Sequence, residues 1–350
     1  MSGIPTFSRS HESHMTRKHV IGWGALNVDL IYKVPTEVWA QVRDRTGLQP
    51  GGELFLGSQD FEAIADLLDR AGMLQHQSGG GSAANTIVAL ARMGFDVGYV
   101  GKVGTDAYGD VLLESLEGVD TRGIRRGDRS GVCMILLDET GERSNMVFPN
   151  SNDMLTVREV DREYIQATSF LHLTSFVGDA PLEAQGQIVE ELPSHVKISF
   201  DPGELYARRP LTEILPILRR TCVLFATDRE IQFMTSRAYR EGAEALLQQG
   251  VGAVVCKRGA CGSYVLSEAE AFEVPAQRIR VVDKTGAGDV YAAGFLAGLL
   301  LNRPLRICAQ LATHAAARSI SGYGREHYPD RVFLNRLLTA NSANECEYGS

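Results

Sequence analysis

The chain has 350 residues, of which 44% are hydrophobic and 22% charged, and its formal net charge at pH 7 is −8. These proportions are ordinary for a globular protein and exclude a disordered or fibrous class for the body of the chain. Because no dense block of Lys and Arg is present, the sequence lacks the electrostatic footprint of a protein that binds nucleic acid or an anionic membrane. We therefore expect a small-molecule partner, with no nucleic acid and no membrane.

The ends of the chain and its cysteines indicate a cytoplasmic location. Segment 1–18 is polar and has no apolar core of the kind found in secretory signals, so we expect a flexible leader. The six cysteines form no CxxC pair and no zinc-ligand spacing, which favours reduced thiols in the core. The longest uncharged apolar run, Val290–Leu301, is well short of the ~20 residues that span a bilayer. Segment 336–350 is expected to be a loose tail.

Short apolar runs alternate with helical patterns along most of the chain, which is typical of a parallel sheet with helices on both faces. Two helices are predicted at Ala83–Met93 and Ala243–Gln249, each followed by a glycine that can end it. The predicted strands are Val20–Gly24, Val97–Val100, Lys197–Asp201, Cys222–Ala226 and Ala253–Lys257. The sequence therefore predicts an α/β fold with a central, mostly parallel sheet.

Two regions break this alternation and predict a small β-sheet beside the main fold. Leu30–Val34 reads as a strand, and Ser130–Phe148 reads as two strands joined by a turn around Glu139–Gly141. We expect these regions to form a lid, built roughly from segments 28–57 and 128–150. Because no linker or repeat divides the chain, we predict one α/β domain over 19–335.

The segment DKTGAGDV has the form of an anion site. Arg280–Val282 is predicted to end a strand, TGAG to turn, and a helix to follow, so the amides of Gly286, Ala287 and Gly288 would converge at a helix N-terminus. An Asp in the first helical turn, Asp289, can accept a proton from an attacking hydroxyl, which suits phosphoryl transfer. The alternative is that Asp289 only stabilises the helix dipole and the glycines make an ordinary turn.

Other motifs narrow the chemistry further. No GxxxxGK[ST] is present, which excludes a P-loop enzyme, and Asn27 stands where a dinucleotide fingerprint needs its third glycine. Asn27 and Asp29 are two residues apart on an extended segment and so face the same side, where they could bind vicinal hydroxyls or act only as turn residues. Asn85 lies in the first turns of a helix after a glycine run, where a poor helix former suggests a functional role.

Five blocks together carry a resemblance to a known family. They are GALNVD, GGSAANTIVALARMGFDVGYVGKVGTDAYG (Gly80–Gly109), the Gly131–Phe148 hairpin, CKRGACGSYV (Cys256–Val265) and DKTGAGDVYAAGF (Asp283–Phe295). In their order and spacing they resemble the ribokinase family, also called the PfkB-type carbohydrate kinases, over roughly Val20–Arg325.

The resemblance implies an ATP-dependent kinase that phosphorylates a hydroxymethyl-type alcohol of a sugar or nucleoside, with Mg²⁺ on the phosphates. It implies Asp289 as the catalytic base, with Gly286, Ala287 and Gly288 as the anion hole. The positions that match substrate contacts are Asn27, Asp29, Gly81, Ser82 and Asn85. Those that match nucleotide contacts are Thr227, Lys257, Gly259, Gly262 and Gly288.

Two departures from the family pattern concern the ions. The family usually has Asn-x-x-Glu where this chain has Thr227 to Glu230, so the acidic position that helps to organise Mg²⁺ is kept and the amide is lost. Asp283 and Thr285 match positions linked in the family to a monovalent cation, which makes K⁺ a further candidate cofactor. The missing amide also supports the alternative of another class, a catalytically weak ligand-binding or regulatory protein that keeps the fold.

The substrate stays open between a sugar and a nucleoside. The insertion before the glycine run and the GGSAANT wording are most similar to adenosine-kinase-like sugar kinases, which favours a nucleoside. Met134, Met146 and Phe148 could cover a base or could only pack the lid. Arg143 could hold a phosphosugar or could be a solvated turn residue. In several family members the lid pairs between subunits, so the resemblance also suggests a homodimer.

Overall fold

The computed structural model describes residues 17–71, 74–140 and 142–347. Its strands are β1 (Lys18–Trp23), β2 (Asn27–Lys33), β3 (Glu53–Phe55), β4 (Leu74–Gly80), β5 (Val97–Gly104), β6 (Val119–Gly127), β7 (Gly131–Leu137), β8 (Arg143–Phe148), β9 (Thr168–Thr174), β10 (Lys197–Asp201), β11 (Thr221–Thr227), β12 (Ala253–Lys257), β13 (Ser263–Ser267) and β14 (Ala271–Val274). Its helices are α1 (Thr36–Thr46), α2 (Ser58–Arg70), α3 (Ser82–Arg92), α4 (Ala107–Glu114), α5 (Arg162–Gln166), α6 (Asp179–Glu191), α7 (Gly203–Ala207), α8 (Leu211–Leu218), α9 (Asp228–Thr235), α10 (Tyr239–Gln248), α11 (Ala287–Leu300), α12 (Leu305–Ser319) and α13 (Arg331–Glu347).

The large sheet has nine strands within the described residues, in the order β14-β13-β12-β11-β10-β9-β1-β5-β6. Neighbouring strands from β12 to β6 are parallel, and β13 and β14 add an antiparallel edge. The five predicted strands all belong to this sheet. The prediction of a mostly parallel α/β sheet is therefore confirmed.

Helices cover both faces of the large sheet, as its apolar strands require. Successive residues of β12 show this directly, because Val254 packs into one hydrophobic core and Val255 into the other. The core on the Val255 side includes side chains of α3, α11 and α12, and the opposite core includes side chains of α6, α9 and α10. Within the described residues, no helix has the length and apolar character needed to cross a membrane.

The small sheet has the order β3-β8-β7-β2-β4 in the described part of the chain. Its outer face is buried against α1 and α2, which contribute Val42, Ile64 and Leu68 to the same core as Leu30 and Tyr32. Asn27 and Asp29 alternate onto the other face, because successive strand residues point to opposite sides. The hairpin predicted over Ser130–Phe148 is present as β7 and β8, although Gly141 of its turn lies outside the described residues.

Packing on the outer face decides whether Met134, Met146 and Phe148 cover a base or pack the lid. Met134, Met146 and Phe148 are fully buried there, and the Phe148 ring meets the edge of Phe61 from α2 with 5.1 Å between ring centroids. These side chains therefore pack the small sheet against its helices and are not available to cover a base. The sequence could not separate the two readings, since both call for apolar residues.

Two local expectations were wrong. Arg280–Val282 does not end a strand, because β14 already forms the sheet edge and this segment runs irregularly with Val281 and Val282 exposed. The tail expected to be loose from 336 is helical as far as Glu347, in α13, whose first turns pack on the body through Leu334 and Leu337. Positions 348–350 of that tail, and 1–16 of the expected leader, lie outside the described residues.

Candidate active site

Asp289 lies in the first turn of α11 and is held by side chains of α3. Its Oδ1 accepts a 2.6 Å hydrogen bond from Ser82 Oγ, and its Oδ2 accepts one of 2.9 Å from Asn85 Nδ2. Burial raises the pKa of Asp289 to about 6, against these two hydrogen bonds, which lower it. A carboxylate with this pKa is mostly ionised at pH 7 and still basic enough to accept a proton.

Asn85 is itself fixed by an arginine that the sequence did not single out. Arg325 donates to Asn85 Oδ1 from Nε at 3.1 Å and from Nη2 at 3.0 Å, and it donates from Nη1 to the main-chain oxygen of Ser115 at 2.7 Å. Because the amide oxygen faces Arg325, the amide nitrogen must face Asp289. Burial lowers the pKa of Arg325.

Asp29 presents a carboxylate that makes no side-chain hydrogen bond among the described residues. Its Oδ2 lies where a Cβ on Gly80 would be only 2.3 Å away, so position 80 has no room for a side chain. Burial raises the pKa of Asp29 to about 7; the charge of Arg325 lowers it and that of Asp289 raises it. Such a carboxylate is suited to hydrogen bonds from hydroxyl groups of a ligand.

Asn27 is positioned by Asn152, which the sequence analysis missed. The Asn152 amide donates to Asn27 Oδ1 at 3.0 Å and to the main-chain oxygen of Leu26 at 2.9 Å, and its own oxygen accepts from Leu26 N at 2.9 Å. Asn27 pairs with Gly80 across β2 and β4. The predicted substrate positions Asn27, Asp29, Gly81, Ser82 and Asn85 are thus close neighbours at the end of α3.

The predicted anion hole is the N-terminus of α11. Gly286 is its N-cap with φ +73°, a left-handed conformation that favours glycine. Of the three amides, that of Ala287 donates to the Lys284 oxygen at 3.2 Å. The amides of Gly286 and Gly288 make no main-chain hydrogen bond among the described residues, so these two are the donors available to an anion.

Lys257 brings a positive charge to this helix end. A Cβ built on Gly288 would lie 3.3 Å from its ammonium, and the ammonium is 2.5 Å from Asp201 Oδ2. Burial alone would lower the pKa of Lys257, but the carboxylates of Asp201 and Glu230 raise it, so the ammonium stays charged. Asp201 was missed, although a carboxylate at the carboxyl end of a predicted parallel strand is a recognisable signal.

Thr227 and Glu230 form a capping box at the start of α9. Thr227 N donates to Glu230 Oε2 at 2.7 Å, and Glu230 N donates to Thr227 Oγ1 at 3.2 Å. Burial raises the pKa of Glu230, against the Lys257 charge, which lowers it. Thr227 pairs with Lys257 across β11 and β12, so the capping box stands beside the lysine.

A cavity of about 1030 Å³ adjoins the anion hole. Lys257, Gly259, Gly262 and Gly288 line it, together with the apolar side of α12. Its size, its two lysines (Lys257 and Lys284) and its apolar wall fit a nucleotide with its phosphates toward α11. The described residues hold no cluster of three or more His, Cys, Asp or Glu side chains that could bind a metal ion.

Asp283 and Thr285 lie before this helix and contact the small sheet. Asp283 Oδ1 accepts from Thr285 N at 3.0 Å and from Thr285 Oγ1 at 2.8 Å, and its Oδ2 accepts from Gly324 N at 3.3 Å. Arg143 from β8 donates to Thr285 Oγ1 at 2.5 Å and lies 3.5 Å from Asp283 Oδ1. Burial would raise the pKa of Asp283, but these hydrogen bonds and the Arg143 charge lower it.

Comparison with known proteins fits this arrangement of a helix N-terminus, a buried carboxylate and a nucleotide-sized cavity. The family model for pfkB family carbohydrate kinase matches residues 61–329. The chain belongs to the PfkB family of carbohydrate kinases. This confirms the resemblance of its sequence blocks, and with it the prediction of a sugar kinase, an enzyme with an alcohol acceptor.

Relatives of this PfkB-family kinase include proteins with different named substrates. An uncharacterized sugar kinase of Archaeoglobus fulgidus is 38% identical over 252 residues, which are 70% of this chain and 100% of that protein. An ATP-dependent ribose-1-phosphate kinase of Halopiger xanaduensis is 32% identical over 259 residues, 73% of this chain and 84% of the other. The structure of adenosine kinase from Sinorhizobium meliloti has a TM-score of 0.78 over 93% of this chain and 99% of its own at 24% identity, a likeness of fold. The ribokinase-like fold is thereby confirmed.

Proposed function

We propose that this kinase transfers the γ-phosphoryl group of ATP to a hydroxymethyl-type alcohol of a sugar, with Asp289 as the general base. The observation that carries the proposal is the position of Asp289, held by Ser82 and Asn85 at the helix end that also bears the Gly286 and Gly288 amides. The base, the substrate positions and the anion site meet at this point.

In the proposed reaction the substrate hydroxyl lies beside Asp289, and Asn27 and Asp29 bind neighbouring hydroxyls. The Asp289 carboxylate accepts the hydroxyl proton while the substrate oxygen bonds to the γ-phosphorus and the bond to the ADP oxygen breaks. The Gly286 and Gly288 amides and the nearby Lys257 ammonium stabilise negative charge on the transferring group.

The large cavity beside α11 is where we propose that ATP binds, with Gly259 and Gly262 against the nucleotide. Mg²⁺, when bound to the phosphates, would neutralise part of their charge and help to orient them. We propose Glu230, beside Lys257, as the acidic residue that organises the ion. The role of Thr227 as a phosphate contact and the role of Asp283 and Thr285 in K⁺ binding stay predictions. Comparison of turnover in K⁺ and in Na⁺ tests the K⁺ prediction.

The small sheet is proposed to act as a lid that excludes water from the reaction. Its contact with the body through Arg143 and Thr285 supports this role. A homodimer through the lid also stays a prediction, and burial of the outer face under α1 and α2 leaves the edge strands β3 and β4 as the places for pairing. A cytoplasmic location is proposed on the sequence grounds above.

The test is ATP-dependent phosphorylation of a panel of free sugars and nucleosides by the purified full-length chain, followed by product detection. We expect turnover with at least one panel member and loss of nearly all turnover in Asp289→Asn, whose amide oxygen can still accept from Asn85 and whose amide nitrogen can donate to Ser82 Oγ, but which cannot accept the proton. Asp128→Asn, a change at an exposed aspartate, is the matched control and should keep wild-type turnover. Wild-type turnover in Asp289→Asn would refute the base assignment.

A further inference from the structure

A second cavity, of about 160 Å³, leads from the substrate positions away from the reacting groups. Asn27, Gly81 and Ser82 line one end of it. Neither Asp289 nor Lys257 lines it, although Ser82 touches Asp289 at 2.6 Å. A sugar whose hydroxyl faces the base would therefore extend its far end into this cavity.

The far end of the cavity is acidic. Glu53 of β3 and Asp153, in the short 3₁₀ turn after β8, both line it, and no Arg, Lys or His does. The Oδ1 atom of Asp153 is buried and has no hydrogen-bond partner within the described residues. Burial raises the pKa of both carboxyls. Glu53 is exposed at this end and offers its carboxylate oxygens to a ligand N–H group, and the Asp153 carboxyl adds to the acidic character of the wall.

The walls of the same end are apolar. Phe55 of β3, Phe176 after β9 and Leu205 of α7 line it, and Phe176 is fully buried. Aromatic and aliphatic walls with a few polar groups are typical of pockets for flat, apolar ligand parts, in which the polar groups fix orientation. The cavity thus combines apolar walls with hydrogen-bond acceptors.

We infer that this cavity receives an uncharged N–H-bearing heterocycle attached to the sugar, such as an amino-substituted nucleobase, and rejects a phosphate. The inference rests on the proposed function, because it assumes that the sugar binds beside Asp289. A phosphate in this cavity would face Glu53 and Asp153 with no cation to neutralise it. Arg143, the candidate phosphate clamp, is not among the lining residues and instead contacts Thr285.

This assignment separates the chain from the substrate in the name of its Halopiger relative, ribose-1-phosphate. The experiment measures kcat/KM of the full-length chain with ATP and Mg²⁺ for cytidine, adenosine, ribose and ribose-1-phosphate. We expect cytidine or adenosine to exceed both ribose and ribose-1-phosphate by at least about ten-fold, the effect of a buried hydrogen bond of about 1.4 kcal/mol or more. A kcat/KM for ribose-1-phosphate or ribose equal to or above that of both nucleosides would overturn the inference.

Charge-neutralising variants test the two carboxylates. Asp153→Asn and Glu53→Gln should each lower kcat/KM for the preferred nucleoside several-fold, leave ribose unchanged and reduce discrimination against ribose-1-phosphate. Glu37→Gln, on α1 and outside the cavity, is the matched control and should change none of these values. Glu53→Gln, on the edge strand β3, provides a second test of the cavity if Asp153→Asn fails to fold. An unchanged preference in a folded variant of either residue would refute its role.

A binding measurement separates this inference from the proposed reaction. Titration calorimetry of cytidine and adenosine into Asp289→Asn protein measures the affinity of each nucleoside for the cavity without turnover. Tighter binding of either nucleoside than of ribose, weakened by Glu53→Gln, supports the cavity assignment even if no panel member is phosphorylated. Turnover of ribose together with no binding advantage for either nucleoside would overturn the cavity assignment and leave the kinase assignment intact.

Discussion

Removing the Ser82 hydroxyl should move the acidic limb of the pH profile upward. The 2.6 Å hydrogen bond from Ser82 to Asp289 favours the ionised carboxylate, whose pKa is about 6. A hydrogen bond to a charged group contributes about 1.5–3 kcal/mol, and 1.36 kcal/mol corresponds to one pKa unit. In Ser82→Ala the pKa of Asp289 should therefore rise to between about 7 and about 8.

The change is large enough to measure in steady-state kinetics. If the ionised form is required, the variant's kcat at pH 6.5 should fall by about 3- to 25-fold from ionisation alone, and this loss should nearly vanish at pH 9. A loss of kcat that comes from a missing substrate contact does not depend on pH. Dividing the ratio of variant to wild-type kcat at pH 6.5 by the same ratio at pH 9 therefore isolates the effect of ionisation. The assay is kcat from pH 5 to pH 9 at saturating ATP and sugar.

A neighbouring threonine provides the matched control. Thr86 Oγ1 donates to the main-chain oxygen of Asp289 and not to its carboxylate, so Thr86→Val should leave the midpoint of the limb near that of the wild type. A Ser82→Ala limb at or below the wild-type pH would refute the assignment of Asp289 as the group that titrates.

Three further predictions concern stability and the lid. Asp29→Asn should raise the free energy of unfolding at pH 8 by up to about 4 kcal/mol, because folding raises the pKa of Asp29 from 3.8 to about 7. The protonated carboxyl contributes its full stability below pH 3.8, and this contribution is lost as the pH rises through 7. The gain from Asn should therefore vanish near pH 4. Lys257→Met should cost about 3–5 kcal/mol by leaving the buried Asp201 carboxylate unpaired. Arg143→Gln should speed proteolysis of segment 131–148 by about 1.4- to 5-fold, since an exposed ion pair contributes about 0.2–1 kcal/mol.

Each of these has its own check. Urea unfolding at pH 8 and pH 4 measures the first, and a gain of equal size at both pH values would contradict the burial cause. Adding Asp201→Asn to Lys257→Met should recover most of the lost stability, and no recovery would place the cost elsewhere. For the lid, unchanged cleavage in Arg143→Gln would show that its contact with the body does not hold the hairpin.

The sequence predicted those features that local composition determines. The β-strands buried on both faces have mostly apolar central residues, so β1, β5, β10, β11 and β12 were recognisable from short runs alone. The glycine turn before α11 and the shared face of Asn27 and Asp29 could also be predicted from the sequence, because backbone conformation and strand alternation are local properties.

The features that were missed depend on contacts between distant parts of the chain. Strand β4 has a polar sequence, LQHQSGG, and becomes a strand only by pairing with β2. Arg325 and Asn152 act on residues 240 and 125 positions away, and nothing in their own neighbourhoods marks them. The direction in which Met134 and Arg143 point likewise follows from which face of the small sheet the helices cover.

The pairing of Asn27 with Gly80 has a mechanical consequence for catalysis. Asn27 begins β2, and Gly80, next to Gly81, ends β4, so both strands meet the body of the protein beside residues proposed to hold the sugar. If the small sheet moves as the proposed lid, the motion would displace Asn27 relative to the body and weaken its contact with the sugar. Product departure and lid opening would then be a single event, and one rate constant should describe both.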